Sequence, residues 1–375
     1  MPFCYSPWTN IDINPSGAMT PCCKFQVQPT DQTFNIRRNS FNDYTNSEFL
    51  VNVKQDFLKD QWPVGCVRCR TEEENNIKSK RQLDYERWES HYQQVDLSIT
   101  KFLTASIAFG NTCNLKCITC NPNVSSRWQK EHEDLTGISV LPFHFYKKDF
   151  VNDFIDNTPG IVHFDIPGGE PFLSGVTEQK QLLSYYISSN LAQNITLHYT
   201  TNTTIFPDNE WWELWQHFKE VEIQLSIDGV GRRQEYIRFP SDWNTVLKNT
   251  QQYIHNQQNK QNVKLSVSHT LSAYNIYYLD EFFTWCYNIG LPSPWIGKVH
   301  KPEHMRPTVW PAVPKTMIIK QLNTSQHPEV QLWAKLMAAT DDSDKFETFK
   351  LKLKQHDDYR SLSFSDTFPE LSSYI

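Results

Sequence analysis

Three cysteines, Cys113, Cys117 and Cys120, stand at the spacing C-x3-C-x2-C inside residues 107–122. Three thiolates in so short a loop can face one soft metal centre. A structural zinc takes four ligands. A four-iron cluster held by three cysteines instead keeps one iron free for a substrate or cofactor. The plain alternative is three reduced thiols that are merely neighbours. Five of the nine cysteines fall in residues 1–75: Cys4, Cys22, Cys23, Cys66 and Cys69. Taking Cys22 rather than Cys23 gives a four-thiol set, Cys4, Cys22, Cys66 and Cys69. On chemistry alone that set fits a closed cluster and a structural zinc equally well.

Other residues could hold a charged organic cofactor. Gly168, Gly169, Glu170 and Pro171 follow an apolar, strand-like stretch. Paired glycines let backbone approach a ligand closely, and a carboxylate such as Glu170 accepts from an ammonium group. Asn202, after Thr201, offers both a donor and an acceptor. Ser226 and Asp228 lie in Ser-Ile-Asp-Gly, and Arg238 follows twelve residues after Ser226. A guanidinium presents a planar fork of donors suited to a carboxylate; Arg232 and Arg233 are alternatives to Arg238. His269 and Ser268 can line a substrate, although His269 equally reads as an ordinary packed or hydrogen-bonded histidine.

These residues need elements to hold them. Apolar, β-prone stretches at 101–109, 160–166, 194–199, 220–227, 262–269 and 294–299 read as six strands. Helical patterns at 122–134, 147–156, 176–192, 208–218, 242–258 and 277–288 alternate with them, and the stretch 135–146 carries no clear pattern. Such alternation indicates βαβ units and a parallel sheet. The candidate residues then fall at the C-terminal ends of strands, where parallel α/β folds place their sites. Pro15-Ser16-Gly17 reads as the turn of an N-terminal hairpin, with the cysteines near its ends. Residues 71–95 read as one charged helix capped by Thr71. The tail, 313–375, carries helical pieces at 313–323 and 328–340, then a lysine-rich stretch at 344–355 that reads as a surface helix or as a cover for the site.

The cysteine triplet, followed in order by Gly-Gly-Glu-Pro and Ser-x-Asp-Gly, resembles the radical S-adenosylmethionine (radical SAM) superfamily. The resemblance implies a partial (βα)6 TIM-type barrel. It implies a [4Fe–4S] cluster on Cys113, Cys117 and Cys120 whose free iron is chelated by SAM. Gly168, Gly169, Glu170 and Pro171 would hold the SAM amino group, Asn202 would lie near the ribose, and Ser226, Asp228 and Arg238 would serve the carboxylate side. The N-terminal pattern resembles the twitch form of a SPASM domain: Cys4, twelve residues, Gly17, four residues, Cys22, then Cys66-Val-Arg-Cys69. That implies an auxiliary [4Fe–4S] cluster, two clusters in all. In the family this element normally follows the barrel, whereas here it precedes it. The family often has an aromatic residue before the third cysteine; here it is Thr119, so the adenine contact must come from backbone or Ile118.

The implied activity is a radical SAM oxidoreductase: reductive cleavage of SAM to a 5′-deoxyadenosyl radical, then hydrogen-atom abstraction from a substrate. The substrate would be a peptide or protein, oxidised or crosslinked with the auxiliary cluster as electron acceptor, or a small molecule such as an amino sugar or alcohol. An external one-electron donor such as flavodoxin or ferredoxin is implied. A non-catalytic iron–sulfur electron carrier is the rival of another class, and it has no use for a SAM cradle. The expected organisation is a twitch-like module at 1–75, a linking helix at 76–100, the barrel at 101–300 and a helical extension at 301–375. With 375 residues and 39% hydrophobic residues, a sizeable core is available. A formal charge of −6 with no basic block argues against a nucleic-acid groove. No run of 18 apolar residues predicts a membrane span, and the first residues lack the pattern of a signal peptide. Cysteines in this setting point to a reducing, cytoplasmic compartment and to metal rather than disulfides.

Overall fold

At the N-terminus the chain turns back on itself at Gly17, whose φ of 83° is the left-handed conformation that glycine tolerates. The Asn14 side-chain oxygen accepts from the amides of Ser16 and Ala18 and closes the turn. The turn sets β1 (Asn10–Ile13) antiparallel to β2 (Ala18–Thr20), which pairs in turn with β3 (Phe34–Asn35). This is the expected hairpin. The structure is a computed structural model and describes residues 2–29, 31–140 and 149–375. Residues 141–146 of the patternless stretch and the first two residues of the helix expected at 147–156 lie outside the described residues. That helix is seen as Phe150–Asn157.

The chain divides into two compact units. One comprises Met1–Thr112, Pro142–Tyr199 and Pro207–Val221; the other comprises Cys113–Leu141, Thr200–Phe206 and Glu222–Ile375. In the first, β1 runs parallel to β4 (Thr104–Ile107), which pairs with β5 (His163–Ile166), and β5 pairs with β6 (Thr196–Thr201), all parallel. Alternate residues of these strands build an apolar layer: Ile11, Ile13, Ala105, Ile107, Phe164 and Ile166 are each 1% exposed or less. In the second unit β7 (Glu220–Ser226), β8 (Val263–Leu271) and β9 (Trp295–Lys298) follow one another in the sheet, with β8 and β9 parallel. Strands β4 to β9 fall on the six stretches expected as strands, and helices separate them, so the class is α/β as expected.

Helix starts follow their capping residues. Asp208 and Asp242 cap the helices Asn209–Trp215 and Trp243–Asn259 by accepting from the amides of Trp211 and Thr245. The charged helix expected over 71–95 is two helices, Val67–Glu74 and Lys80–Tyr92. Thr71 lies inside the first and caps nothing. Asn75 and Asn76 end it, with Asn76 at a positive φ, and Ser79 opens the second with a capping box to Gln82. Among the described residues no helix is long and apolar enough to cross a membrane.

The C-terminal helix Phe346–Arg360 is more than a surface helix. Its Phe349, Leu353, His356 and Arg360 are buried. Glu131, itself fully buried, accepts from Lys116 at 2.7 Å, His356 Nδ1 at 2.8 Å and Arg360 Nε at 2.9 Å. The tail thereby braces, within its own unit, the loop that carries Cys113, Cys117 and Cys120.

Candidate metal centres and cofactor-binding loops

The cysteine loop is held by backbone and side-chain bonds within the second unit. Lys116 N donates to the Phe239 carbonyl and Ile118 N to the Ile237 carbonyl, both at 2.7 Å. This two-rung pairing places Arg238 opposite Cys117, and Arg238 Nη1 lies 3.9 Å from Cys117 Sγ. Ser126 Oγ accepts from Cys113 N at 3.2 Å, and Trp128 Nε1 donates to the Cys117 carbonyl at 2.8 Å. The three thiols are half-buried. Burial pushes the Cys117 thiol up to about 12, against the pull of Arg238 and with the push of Cys120 and Cys113. Burial likewise pushes Cys120 up to about 11. Thiols so placed hold protons when no metal is bound, and binding a metal must release them.

Asn202 is drawn onto the same loop. Its amide donates to Asn114 Oδ1 at 2.9 Å and approaches Cys113 Sγ at 3.8 Å. Asn114 returns a bond to Thr204 Oγ1 at 2.8 Å. Ser226 is buried at the end of β7. Asp228 is wholly buried and lies behind Arg238, with its Oδ2 2.8 Å from Arg238 Nε. Burial works against the Arg238 charge, and Asp228 and the Cys117 thiol more than offset it. Asp228 Oδ1 also accepts from Thr270 N at 2.6 Å. Arg233 is engaged elsewhere, in an ion pair with Glu281 and over the Tyr278 ring, and Arg232 is exposed. His269 lies within β8 rather than at its end. Its Nδ1 donates to the Ile227 carbonyl at 3.1 Å, its ring packs on Phe282, and burial lowers its pKa to about 4. That is a packed neutral histidine.

The Gly168–Pro171 loop belongs to the first unit and follows β5. A Cβ on Gly169 would lie 2.2 Å from the Thr112 carbonyl oxygen, so backbone is packed against backbone there and only glycine fits. Glu170 N donates to that same carbonyl at 2.8 Å, and Glu170 is fully buried. The loop thus rests on Asn111 and Thr112, which lead in sequence directly into Cys113. Such a buried carboxylate beside two glycines suits an ammonium group.

The four-thiol set is assembled in the first unit from three separate segments. Gln26 N donates to the Gly65 carbonyl at 2.9 Å and brings the Cys22 segment to the Cys66 knuckle. Arg81 Nη1 donates to the Phe3 carbonyl at 2.8 Å, and Tyr5 stacks on Tyr92 at 4.4 Å, which fixes Cys4 against the helix Lys80–Tyr92. Burial first, then Cys23 and Cys4, lift Cys22 well above the ordinary thiol. Burial, then Cys4 and Cys69, lift Cys66. Cys23 is the exposed neighbour and lines a separate polar cavity with Asp12 and Lys80. Among the described residues no three His, Cys, Asp or Glu side chains gather as tightly as a single metal ion requires. A four-iron cluster is wider than one ion and spreads its thiolates further apart.

Residues 4–70 match one family model. This segment is similar to the SPASM iron–sulfur cluster-binding domain. The matched span contains all four thiols of the set and accords with the twitch/SPASM resemblance of the N-terminal segment and with an iron–sulfur cluster there. No curated protein matches the chain. Three solved structures are similar in part. One is anSMEcpe with bound AdoMet and the Kp18Cys peptide, with a TM-score of 0.40, 14% identity, and coverage of 53% of this chain and 51% of that one. A second is Streptococcus suis SuiB bound to S-adenosylmethionine, with a TM-score of 0.38, 13% identity, and coverage of 78% and 63%. A third is TYW1 with a lysine–pyruvate adduct, with a TM-score of 0.33, 14% identity, and coverage of 58% and 72%. The chain spans about half the length of the first of these.

One group of polar residues escaped the sequence reading. On β1, β4, β5 and β6 the residues that alternate with the apolar layer are Asn10 and Asp12, Thr104 and Ser106, His163 and Asp165, Thr196 and His198. Strand register puts Asp12 beside Ser106, Ser106 beside Asp165, and Asp165 beside His198. Parallel strands covered on both faces read as near-continuous apolar runs. A strict polar alternation in four neighbouring strands was the available signal.

Proposed function

We propose that this chain is a radical SAM oxidoreductase of the SPASM type that acts on a peptide or protein. The observation that supports it best is the loop of Cys113, Cys117 and Cys120, three half-buried thiols of which two act on Cys117, with the Arg238 guanidinium set against Cys117. A [4Fe–4S] cluster bound there would supply an electron for reductive cleavage of SAM to a radical that abstracts a hydrogen atom from the substrate. The residues of the chain do the rest. Cys113, Cys117 and Cys120 give up their protons to hold the metal. Arg238, kept charged by Asp228, balances the thiolates and offers its remaining donors to a carboxylate. Asn202 and Asn114 lock the loop's conformation. Glu170 and the Gly168–Gly169 backbone accept an ammonium group. In the N-terminal segment Cys4, Cys22, Cys66 and Cys69 would hold a second cluster, closed to substrate, that accepts the electron left after hydrogen removal. An external donor such as a flavodoxin or ferredoxin would reduce the first.

Iron analysis tests this reading. Anaerobically reconstituted protein should hold about eight irons per chain, from two four-iron clusters. The Cys113→Ala, Cys117→Ala, Cys120→Ala triple variant should hold about four. Zinc at Cys4, Cys22, Cys66 and Cys69 would remove the electron-accepting role, and iron unchanged by the triple substitution would refute the SAM-binding cluster.

A further inference from the structure

The polar face of β1, β4 and β5 opens into a cavity of about 220 Å³ in the first unit, lined also by Cys23 and by the helix residues Lys80, Asp84, Arg87 and Trp88. That is room for about seven water volumes, enough for a short alkyl chain with a polar head. Most of its charged groups are already satisfied. Lys80 is paired with Asp84 at 2.6 Å. Arg87 lies over the Trp88 ring at 4.9 Å. Asp165 accepts from His198 Nδ1 at 2.6 Å and from Ser106 Oγ at 3.0 Å.

Two groups are left wanting. Asp12 is 8% exposed; the hydroxyls of Ser106 and Thr20 hydrogen-bond its carboxyl, Asp165 repels it, Lys80 attracts it from its own pair with Asp84, and it forms no ion pair among the described residues. Burial pushes its pKa up to about 7, and the pull of Lys80 does not offset it. His163 is 9% exposed, and its Nδ1 is buried with no hydrogen-bond partner among the described residues. Burial lowers its pKa to about 3, so it stays neutral and one ring nitrogen is an acceptor. What the cavity lacks is therefore a compact cation rich in donors. An anion finds no unpaired cation there, and a flat guanidinium carries five donors in a fixed fork for two waiting acceptors.

We infer that this cavity binds a primary alkylammonium group of the substrate, such as a lysine-like side chain, with Asp12 as counter-ion and His163 as acceptor. A primary ammonium has three N–H donors. Asp12, with two carboxylate oxygens, takes two, and His163 takes the third. The assignment names a substrate class for the proposed enzyme and rests on that reading.

Calorimetry on the reconstituted full chain at pH 8 tests it, with N-acetyl-lysine methylamide and its norleucine counterpart as probes. The lysine compound should bind at least about tenfold more tightly than the norleucine compound, because the cationic hydrogen bonds are worth more than one such factor. Asp12→Asn, which keeps shape and removes charge, should abolish that preference. Equal binding of the two probes, or no binding of either, by the unmodified chain overturns the site whether or not the variant folds. Release of 5′-deoxyadenosine by the same samples separates the two readings. SAM cleavage without lysine preference sinks the cavity assignment alone, and lysine preference without SAM cleavage sinks the enzyme reading alone.

Discussion

Replacing Glu131 with Gln should destabilise the protein and loosen the cysteine loop. Glu131 is fully buried and gathers three basic groups: Lys116 at 2.7 Å, His356 at 2.8 Å and Arg360 at 2.9 Å. Arg360 depends on it most. Its side chain is wholly buried, its Nη1 and Nη2 find no other acceptor among the described residues, and it otherwise lies on the Trp128 ring. A glutamine leaves that guanidinium buried without a counter-charge, which costs about 3–5 kcal/mol. At roughly 2 °C per kcal/mol for a chain of this size, the melting temperature should fall by about 6–10 °C. Thermal denaturation by circular dichroism at pH 7.5 measures this. Adding Arg360→Met should recover more than half of the loss, because the stranded charge is then gone. The pH dependence has a definite sign. Burial alone would raise the Glu131 carboxyl, but His356, Arg360 and Lys116 together hold it down to about 2 against an ordinary 4.5. A depressed acid contributes its stability above the unfolded value. The gap between wild type and Glu131→Gln should therefore be full above about pH 4.5 and close as pH falls toward about 2. A melting temperature within about 1 °C of wild type at pH 7.5 would mean less than ~1 kcal/mol is at stake and would refute the reasoning.

Asp12→Asn should act in the opposite direction. The Asp12 carboxyl is raised from 3.8 to about 7, so its stabilisation is whole below pH 3.8 and is lost as pH rises through about 7. The variant should gain stability over wild type across that window, by up to about 4 kcal/mol at pH 8 at 1.36 kcal/mol per pKa unit; a difference between variant and wild type that is the same at pH 4 and pH 8 would contradict it. Cys22→Ala should lose about four irons, whereas Cys23→Ala should keep them, since Cys23 faces the polar cavity rather than the thiol set; the reverse result in iron analysis would mean the wrong neighbour was assigned.

Strands β4 to β9 were legible because each is an apolar, β-prone run bounded by turn residues; that β1 adds to the same sheet beside β4 was not, because no local signal marks that pairing. The hairpin was legible from Gly17 flanked by two short β-prone runs. The break at Asn75 and Asn76 was not, because the charged pattern continues across it and only the backbone turn at Asn76 divides it. The bracing of Lys116 by Glu131, His356 and Arg360 could not be read at all. It joins residues more than 220 positions apart, and nothing local marks Arg360 as buried. Arg238 was singled out from its distance to Ser226, while what fixes it, the pairing of residues 237–239 with the cysteine loop, is a tertiary contact without a sequence signature. The polar layer of Asp12, Ser106, Asp165 and His198 was visible as alternation in each strand. Its meaning emerged only when strand register set the four residues side by side.

The claim that most needs a direct test is that the chain cleaves SAM at the Cys113, Cys117 and Cys120 centre. The measurement is 5′-deoxyadenosine released from SAM by anaerobically reconstituted, dithionite-reduced protein, compared with a Cys117→Ala variant prepared in the same way. The wild type should release 5′-deoxyadenosine slowly even without substrate, and the variant should release none while keeping about four irons at its other four cysteines. Release that persists in Cys117→Ala, or a wild type that holds both clusters and leaves SAM intact, would contradict the account.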